Sequence, residues 1–310
     1  MPARLSSRTV STVPTGGGRR LVTRPALFVV AAAVLMVGCY RGAESVLQRM
    51  SEAQKLAAEL QLQFTRATDA TNLAVMADRD DTSAEFAGLA SEVSQAVEKN
   101  AAALRPLLVG LMYSDEVRLL DDFDQRFAEY RKLDRTVLEL SVENTNLKAQ
   151  RLSFGPAQEA ADAFHGSLEA IVDGAGTGDA WQIRALAWRA LAAVRDIQVL
   201  QARHIAEPAD DAMTRLEGKM AAAEDVARNA LTALGPLLSP DAGSQLRAAQ
   251  ASLDRFLDLN RELLALSRRN SNVRSLSLTL GEKRRLTAQC EDSLRALDEA
   301  LAKRGFAATR

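Results

Sequence analysis

Residues 133–155 read LDRTVLELSVENTNLKAQRLSFG, and residues 259–281 read LNRELLALSRRNSNVRSLSLTLG. In the first stretch a stripe runs through Leu133, Val137, Leu140, Asn144, Leu147, Arg151 and Phe154 to Gly155. In the second it runs through Leu259, Leu263, Leu266, Asn270, Val273, Ser277 and Leu280 to Gly281, each residue 126 positions after its counterpart. Alternating spacings of three and four keep one face of a helix turned toward its neighbours, which is the signature of a bundle seam. A whole seam recurring in register, with Asn at the same apolar position and Gly at the same end, marks an internal repeat.

Working outward, Asn100 to Leu108 (NAAALRPLL) has a counterpart in Asn229 to Leu238 (NALTALGPLL), and Asp80-Asp81 has one in Asp210-Asp211. A first seam passes through Val46, Met50, Ala53, Ala57, Leu60, Phe64, Ala67, Thr71 and Ala74. A second passes through Phe86, Leu89, Val93, Ala96, Asn100, Leu104 and Leu107. Pro106 is expected to kink or end that helix, since proline removes a backbone donor. Ser114, ahead of two acids, is expected to cap the next one. Breaks are expected near 79–83, 110–115, 173–179, 207–211 and 236–241. The fold class is therefore all-α: an elongated antiparallel helical bundle of two three-helix repeats, 44–173 and 179–304, with a tail at 305–310. Two stacked four-helix sub-bundles bridged by the long third helices are one arrangement that fits.

The N-terminal residues read as an address. Arg4, Arg8, Arg19, Arg20 and Arg24 precede an apolar run from Ala26 to Val37 that closes on Gly38-Cys39. A basic stretch, a short apolar run and a small residue make a secretory signal, too short for the ~20 residues of a spanning helix. Leu35-Met36-Val37-Gly38-Cys39 resembles a bacterial lipobox, with Met36 departing from the usual Leu. That resemblance implies a signal at 1–38, lipidation of Cys39, a short linker at 39–43 and a place on the periplasmic side of the bacterial envelope. Tyr40, in place of Asp, points to the outer membrane. An uncleaved signal anchor is the alternative.

Composition narrows the function. The 310 residues are 47% hydrophobic and 5% aromatic, with a formal charge of −1. Without the five arginines before residue 39, 34 basic residues face 40 acidic ones, a balance of −6. Such a body lacks the concentrated basic surface that nucleic acid requires. The two histidines, His165 and His204, lie in no Glu-x-x-His motif, and the two cysteines are far apart. No phosphate loop, nucleophile elbow, haem motif or metal cluster is legible, so no cofactor and no enzymatic activity are expected. Cys290, among leucines, is expected to be a buried inert thiol.

Two groups of residues remain as candidates. Asn144 and Asn270 occupy seam positions, where a buried Asn fixes register or floors a ligand pocket. A register role predicts that Leu at either position raises stability or loosens the choice of partner helix. Arg268, Arg269 and Arg274, with Lys283, Arg284 and Arg285, form either a solvated face or an anion contact.

A membrane-targeting segment, a long helix, the two Leu-x-Pro-Leu-Leu turns (Leu104 to Leu108, Leu234 to Leu238) and an Asn-bearing long helix together carry a resemblance. Residues 44–303 resemble the four-helix-bundle sensory domains of bacterial chemotaxis receptors, including the double-length bimodular kind. The resemblance implies an extracytoplasmic bundle that binds small metabolites between helices. The sequence departs from that family in having no second membrane span and no signalling helix, so a separate transmembrane signalling protein is the expected partner. A homodimer is left open. The competing function is a scaffolding envelope lipoprotein with no ligand. A ligand bundle would open a pocket lined by Asn, Arg or Thr; a spacer would be close-packed throughout.

Overall fold

A computed structural model describes the backbone of residues 25–176 and 178–308, and the side chains of 45–176 and 178–305. The expected signal at residues 1–24 and the Cys39 side chain lie outside the described residues. The chain divides into two compact units, Met1–Arg49 and Met50–Arg310. The first contributes the opening turns of a helix; the second holds everything discussed below.

The elements in order are α1 (Pro25–Met76), α2 (Asp80–Gly110), α3 (Ser114–Glu143), α4 (Thr145–Leu152), a π-helical turn (Ser153–Ala157) and α5 (Gln158–Asp173). Then come α6 (Ala180–Ala206), α7 (Asp210–Leu234), α8 (Gly243–Arg269), α9 (Ser271–Leu278), a second π-helical turn (Thr279–Lys283) and α10 (Arg284–Ala308). Two 3₁₀ turns, Gly235–Leu237 and Pro240–Ala242, join α7 to α8. No strand occurs among the described residues. The fold is an all-α helical bundle.

Two four-helix cores are buried. One combines Leu60 and Phe64 of α1, Val97 and Leu104 of α2, Phe123, Phe127 and Tyr130 of α3, and Leu286, Cys290 and Leu297 of α10. Its centre is an aromatic cluster: Phe64 meets Phe123, Phe127 and Tyr130 edge-on at centroid distances of 6.1, 5.9 and 5.2 Å. Edge-on contacts place positive ring rims on negative ring faces. The other core combines Phe164 and Leu168 of α5, Ala190 and Ile197 of α6, Ala227 and Leu231 of α7, and Leu253 and Phe256 of α8. Each half of the chain thus gives three helices to one core and extends a fourth into the other, through α3–α4–α5 and α8–α9–α10.

Local structure departs from the sequence pattern at identifiable points. The long helices break at Asn144 and Asn270, which adopt left-handed backbone angles with φ of 48° and 52°. Gly155-Pro156 and Gly281 do not break the chain but sit inside the π-helical turns. A π turn holds one extra residue, so it absorbs the donor that Pro156 lacks. Together these interruptions rotate the stripe, and Phe154 and Leu280, expected on the seam, stand 69% and 63% exposed. In α2 the helix continues through Pro106 to Gly110. Its buried stripe is Ala90, Ser94, Val97, Ala101, Leu104 and Leu108, a residue away from most of the expected positions. Small side chains there let the helices approach closely, while Leu89 is 44% exposed. Ser114 is the first residue of α3 and makes no capping bond; Tyr113 holds the N-cap position.

Cys290 is fully buried in the first core, and burial pushes its thiol up to about 12 from 9.0. Because the thiolate is the nucleophile, Cys290 in a Cys39→Ser variant should resist a disulfide-exchange reagent at pH 8 in the native state. In denaturant it should react at the rate of a free thiol. Rapid labelling of the native protein would contradict the burial.

Candidate binding site at the waist

Where the two cores meet, residues 126 positions apart in sequence touch one another, as they must near a local two-fold axis. The Thr145 amide donates to Ser271 Oγ and the Ser271 amide to Thr145 Oγ1, both at 3.0 Å. The Asn146 amide donates to Asn272 Oδ1 and the Asn272 amide to Asn146 Oδ1, both at 3.1 Å. Asn146 Nδ2 donates to Asn270 Oδ1 at 2.7 Å, and Asn272 Nδ2 to Asn144 Oδ1 at 2.8 Å. These are the amides at the starts of α4 and α9, which have no acceptor within their own helix. Each helix therefore begins on its counterpart's side chains.

Asn144 and Asn270 are both buried and both hydrogen-bond across this junction. They serve as left-handed joints, which Asn tolerates better than most non-glycine residues because its short polar side chain can hydrogen-bond locally, rather than as seam positions of an unbroken helix. The positive φ at both positions sets a backbone strain against Leu that the seam spacing alone does not register. The junction is not fully symmetric: Asn270 Nδ2 donates to the Glu207 carbonyl at 2.9 Å, whereas Asn144 Nδ2 has no partner.

Beside the junction, between α3 and α8–α9, lies a cleft of about 490 Å³ lined by Thr136, Glu139, Glu143, Pro208, Arg269, Asn270, Val273 and Arg274. The structure does not bring the three candidate arginines together. Arg269 and Arg274 line this cleft. Arg268 turns to α7, where it grips both carboxylate oxygens of Glu217 at 2.7 and 2.8 Å and reaches Thr214 Oγ1 at 2.7 Å. Arg269 pairs with Glu143, its own repeat counterpart, with Nε donating at 2.6 Å. Arg269 holds the Glu143 carboxyl below its ordinary value, and Arg274 adds to the effect. Arg274 is exposed and makes no ion pair among the described residues. A polar or charged ligand entering the cleft would meet the exposed Arg274 guanidinium beside the Arg269–Glu143 pair.

Two further polar clusters lie on either side. His204 is fully buried; its Nδ1 lies 2.8 Å from Ser267 Oγ and its Nε2 lies 2.9 Å from Glu217 Oε1. The histidine is thus a satisfied core residue. In the first core Asp134 accepts from Thr71 Oγ1 at 2.8 Å and pairs with Lys283 at 3.2 Å, both charges buried. Lys283 is therefore no part of the solvated face that its neighbours Arg284 and Arg285 suggest in sequence. A signal for its burial is present in the sequence, since Lys283, at the end of the second π-helical turn, continues at three-and-four spacing the α10 stripe of Leu286, Cys290, Leu294, Leu297 and Leu301. Asp134 likewise shares a stripe with Tyr130, Val137 and Ser141.

Among the described residues, no group of His, Cys, Asp and Glu is placed to hold a metal ion, and no helix is long and apolar enough to cross a membrane. No protein-family model and no curated protein matches the chain. Among solved structures, the chain is similar to one of the TorS sensor domain–TorT complex in the presence of TMAO. The identity is 12% and the TM-score 0.35, over 81% of this chain and 99% of that one.

Proposed function

We propose that the chain is a non-enzymatic sensory or small-ligand-binding bundle, held on the periplasmic side of the envelope by lipidated Cys39. It works through a separate transmembrane signalling partner. The observation that supports this is the cleft at the waist. Arg269, Asn270, Arg274 and Thr136 line an opening of about 490 Å³ at the junction of the two cores. Pockets of a few hundred Å³ with a few convergent polar groups are where small molecules bind. A spacer needs only close packing there. A ligand in this cleft touches α3, α8 and α9 at once, so it bears directly on the junction that joins the two cores.

A thermal-shift screen of the purified full-length chain against amino acids and small organic acids tests the reading. A ligand at about 100 times its dissociation constant stabilises the native state by ~2.7 kcal/mol, which is a clear rise in melting temperature. Arg274→Ala should abolish the rise without changing the helical signal. A screen in which nothing shifts the melting temperature would leave the scaffolding function in its place. The anchor is tested separately: labelled fatty acid should be incorporated by the wild type and not by Cys39→Ser. Label retained in the variant would refute lipidation at that residue.

A further inference from the structure

The chain has two tryptophans, and both stand on the surface of α6. Trp181 is 73% and Trp188 64% exposed, whereas Phe64, Phe123, Tyr130, Phe164 and Phe256 are fully buried. Tryptophan is on average a highly buried residue, so two bare rings on one element mark an apolar surface without its partner. Seven residues apart, they share one face of the helix and lie ~10 Å apart along its axis. Trp188 borders two hollows in the groove between α5 and α6. The larger, of about 340 Å³, has apolar lining from Ala161, Leu191, Ala192 and Val194, and polar lining from Asp162, His165, Arg195 and Gln198. The smaller, of about 190 Å³, shares His165, Trp188 and Leu191 with it and adds Leu168, Val172 and Ala187, with the carboxylates of Glu169 and Asp173.

The polar groups form a connected row from α6 to α5. Arg195 Nη1 donates to Gln198 Oε1 at 3.4 Å, Gln198 Nε2 to Gln158 Oε1 at 2.8 Å, and Gln158 Nε2 to Asp162 Oδ1 at 2.7 Å. Each planar side chain is thus oriented by its neighbour. The row ends in a guanidinium that keeps most of its N–H donors and in a carboxylate that only accepts. Arg195 and Asp162 are both exposed, and neither has an ion pair among the described residues. Charges of both signs line the groove: Arg195 on α6, and Asp162, Glu169 and Asp173 on α5, with His165 Nε2 3.5 Å from Glu169 Oε1. A cation meets Arg195 there, and an anion meets three carboxylates. A neutral group that both donates and accepts finds partners along the whole row.

We propose that the α5–α6 groove binds a neutral oligosaccharide, with one sugar ring against Trp188 and its hydroxyls bonded to Asp162 and Arg195. A pyranose ring has an apolar C–H face and a rim of hydroxyls. The face matches the tryptophan, which offers a large, rigid contact area at low entropic cost. Each rim hydroxyl both donates and accepts, so it serves the carboxylate and the guanidinium alike. The hollows on both sides of Trp188, and Trp181 further along the same helix face, give room for linked sugars rather than a single ring. The groove lies in the second core, away from the waist, and the proposal does not depend on a ligand there.

Trp181 and Trp188 are the only tryptophans, so the intrinsic fluorescence of the full-length chain reads this groove directly. Titration with the β-linked tetramers of N-acetylglucosamine and of glucose should give a saturable change in emission. Isothermal titration then compares variants. Trp188→Ala should weaken the bound tetramer at least ~10-fold, as removal of an aromatic anchor does, and Trp188→Tyr should recover most of the loss. Asp162→Ala should weaken it by roughly 2- to 10-fold. All three positions are exposed, so the helical signal should not change. Failure of both neutral tetramers to bind, or an unchanged affinity in Trp188→Ala, would overturn the proposal. Tighter binding of the cationic glucosamine tetramer or the anionic galacturonate tetramer would assign the groove to an ion and overturn it too. So would dimerisation of the chain that Trp188→Ala abolishes, because a second copy would then cover this face. Arg274→Ala should leave sugar binding intact, which keeps a failure here distinct from a failure at the waist.

Discussion

Asp134→Leu should lower the stability of the bundle by ~3–5 kcal/mol, because it strands the Lys283 charge in the first core with no counter-ion. Thr71 Oγ1 loses one of its two acceptors in the same step and keeps the Ala67 carbonyl. The double variant Asp134→Leu, Lys283→Met should recover most of that loss, since a buried ion pair replaced by apolar residues of similar volume is often neutral or stabilising. Urea unfolding followed by circular dichroism measures both. If the double variant is no more stable than the single one, the pair is not the source of the effect. The pH dependence has a definite sign. Desolvation lowers Lys283 from 10.5, with the Asp134 charge opposing. The native state thus releases this proton more readily than the unfolded chain does. The wild type should gain stability relative to the double variant as pH rises from the lowered value toward 10.5, and lose it as pH falls back.

The helices were legible because burial in a bundle is written as spacing. The α1 seam from Met50 to Ala74 is buried at every position read from sequence. The α3 seam holds through Val137, Leu140 and Asn144 and then fails. The reason is that a periodicity argument assumes a constant turn of about 100° per residue. A left-handed residue and a π-helical turn within a dozen positions both violate it. Phe154 and Leu280, matched apolar residues in line with the seam, consequently face solvent. The α2 seam failed differently: where helices approach closely, Ala and Ser occupy the contact, and the larger Leu89 moves to the edge. Size, in such a helix, is a poor guide to burial.

The polar residues were harder to read than the apolar ones. That Asn144 and Asn270 matter could be seen from polar residues at matched apolar positions, but their backbone conformation has no periodic signature. Thr145 with Ser271 and Asn146 with Asn272 meet their own repeat counterparts, a consequence of the local two-fold that spacing along one helix does not encode. Arg268 and Arg269 are adjacent in sequence yet bind acids on opposite flanks, Glu217 on α7 and Glu143 on α3. Consecutive residues diverge by about 100° around a helix, so a run of bases in sequence is rarely one surface. The waist cleft itself arises between elements far apart in the chain.

Asn270→Leu should destabilise the protein by ~2–5 kcal/mol, against the gain expected of an apolar residue at a coiled-coil seam. Two costs add. A non-glycine residue without a short polar side chain pays ~1–2 kcal/mol for the left-handed region. Loss of the amide leaves Asn146 Nδ2 with one acceptor fewer and the Glu207 carbonyl without its donor, at ~1–3 kcal/mol for the buried groups. Asn270→Gly separates the two terms, because glycine adopts φ of 52° freely and loses only the hydrogen bonds. Asn144→Leu should cost less than Asn270→Leu, since Asn144 Nδ2 has no hydrogen bond to lose. The expected order of stability is therefore wild type first, then Asn270→Gly and Asn144→Leu, with Asn270→Leu last. Chemical denaturation of the four proteins decides it. A Leu variant at least as stable as the wild type would mean that the chain straightens through the junction, and that the hydrogen bonds exchanged across the waist do not hold the two cores together.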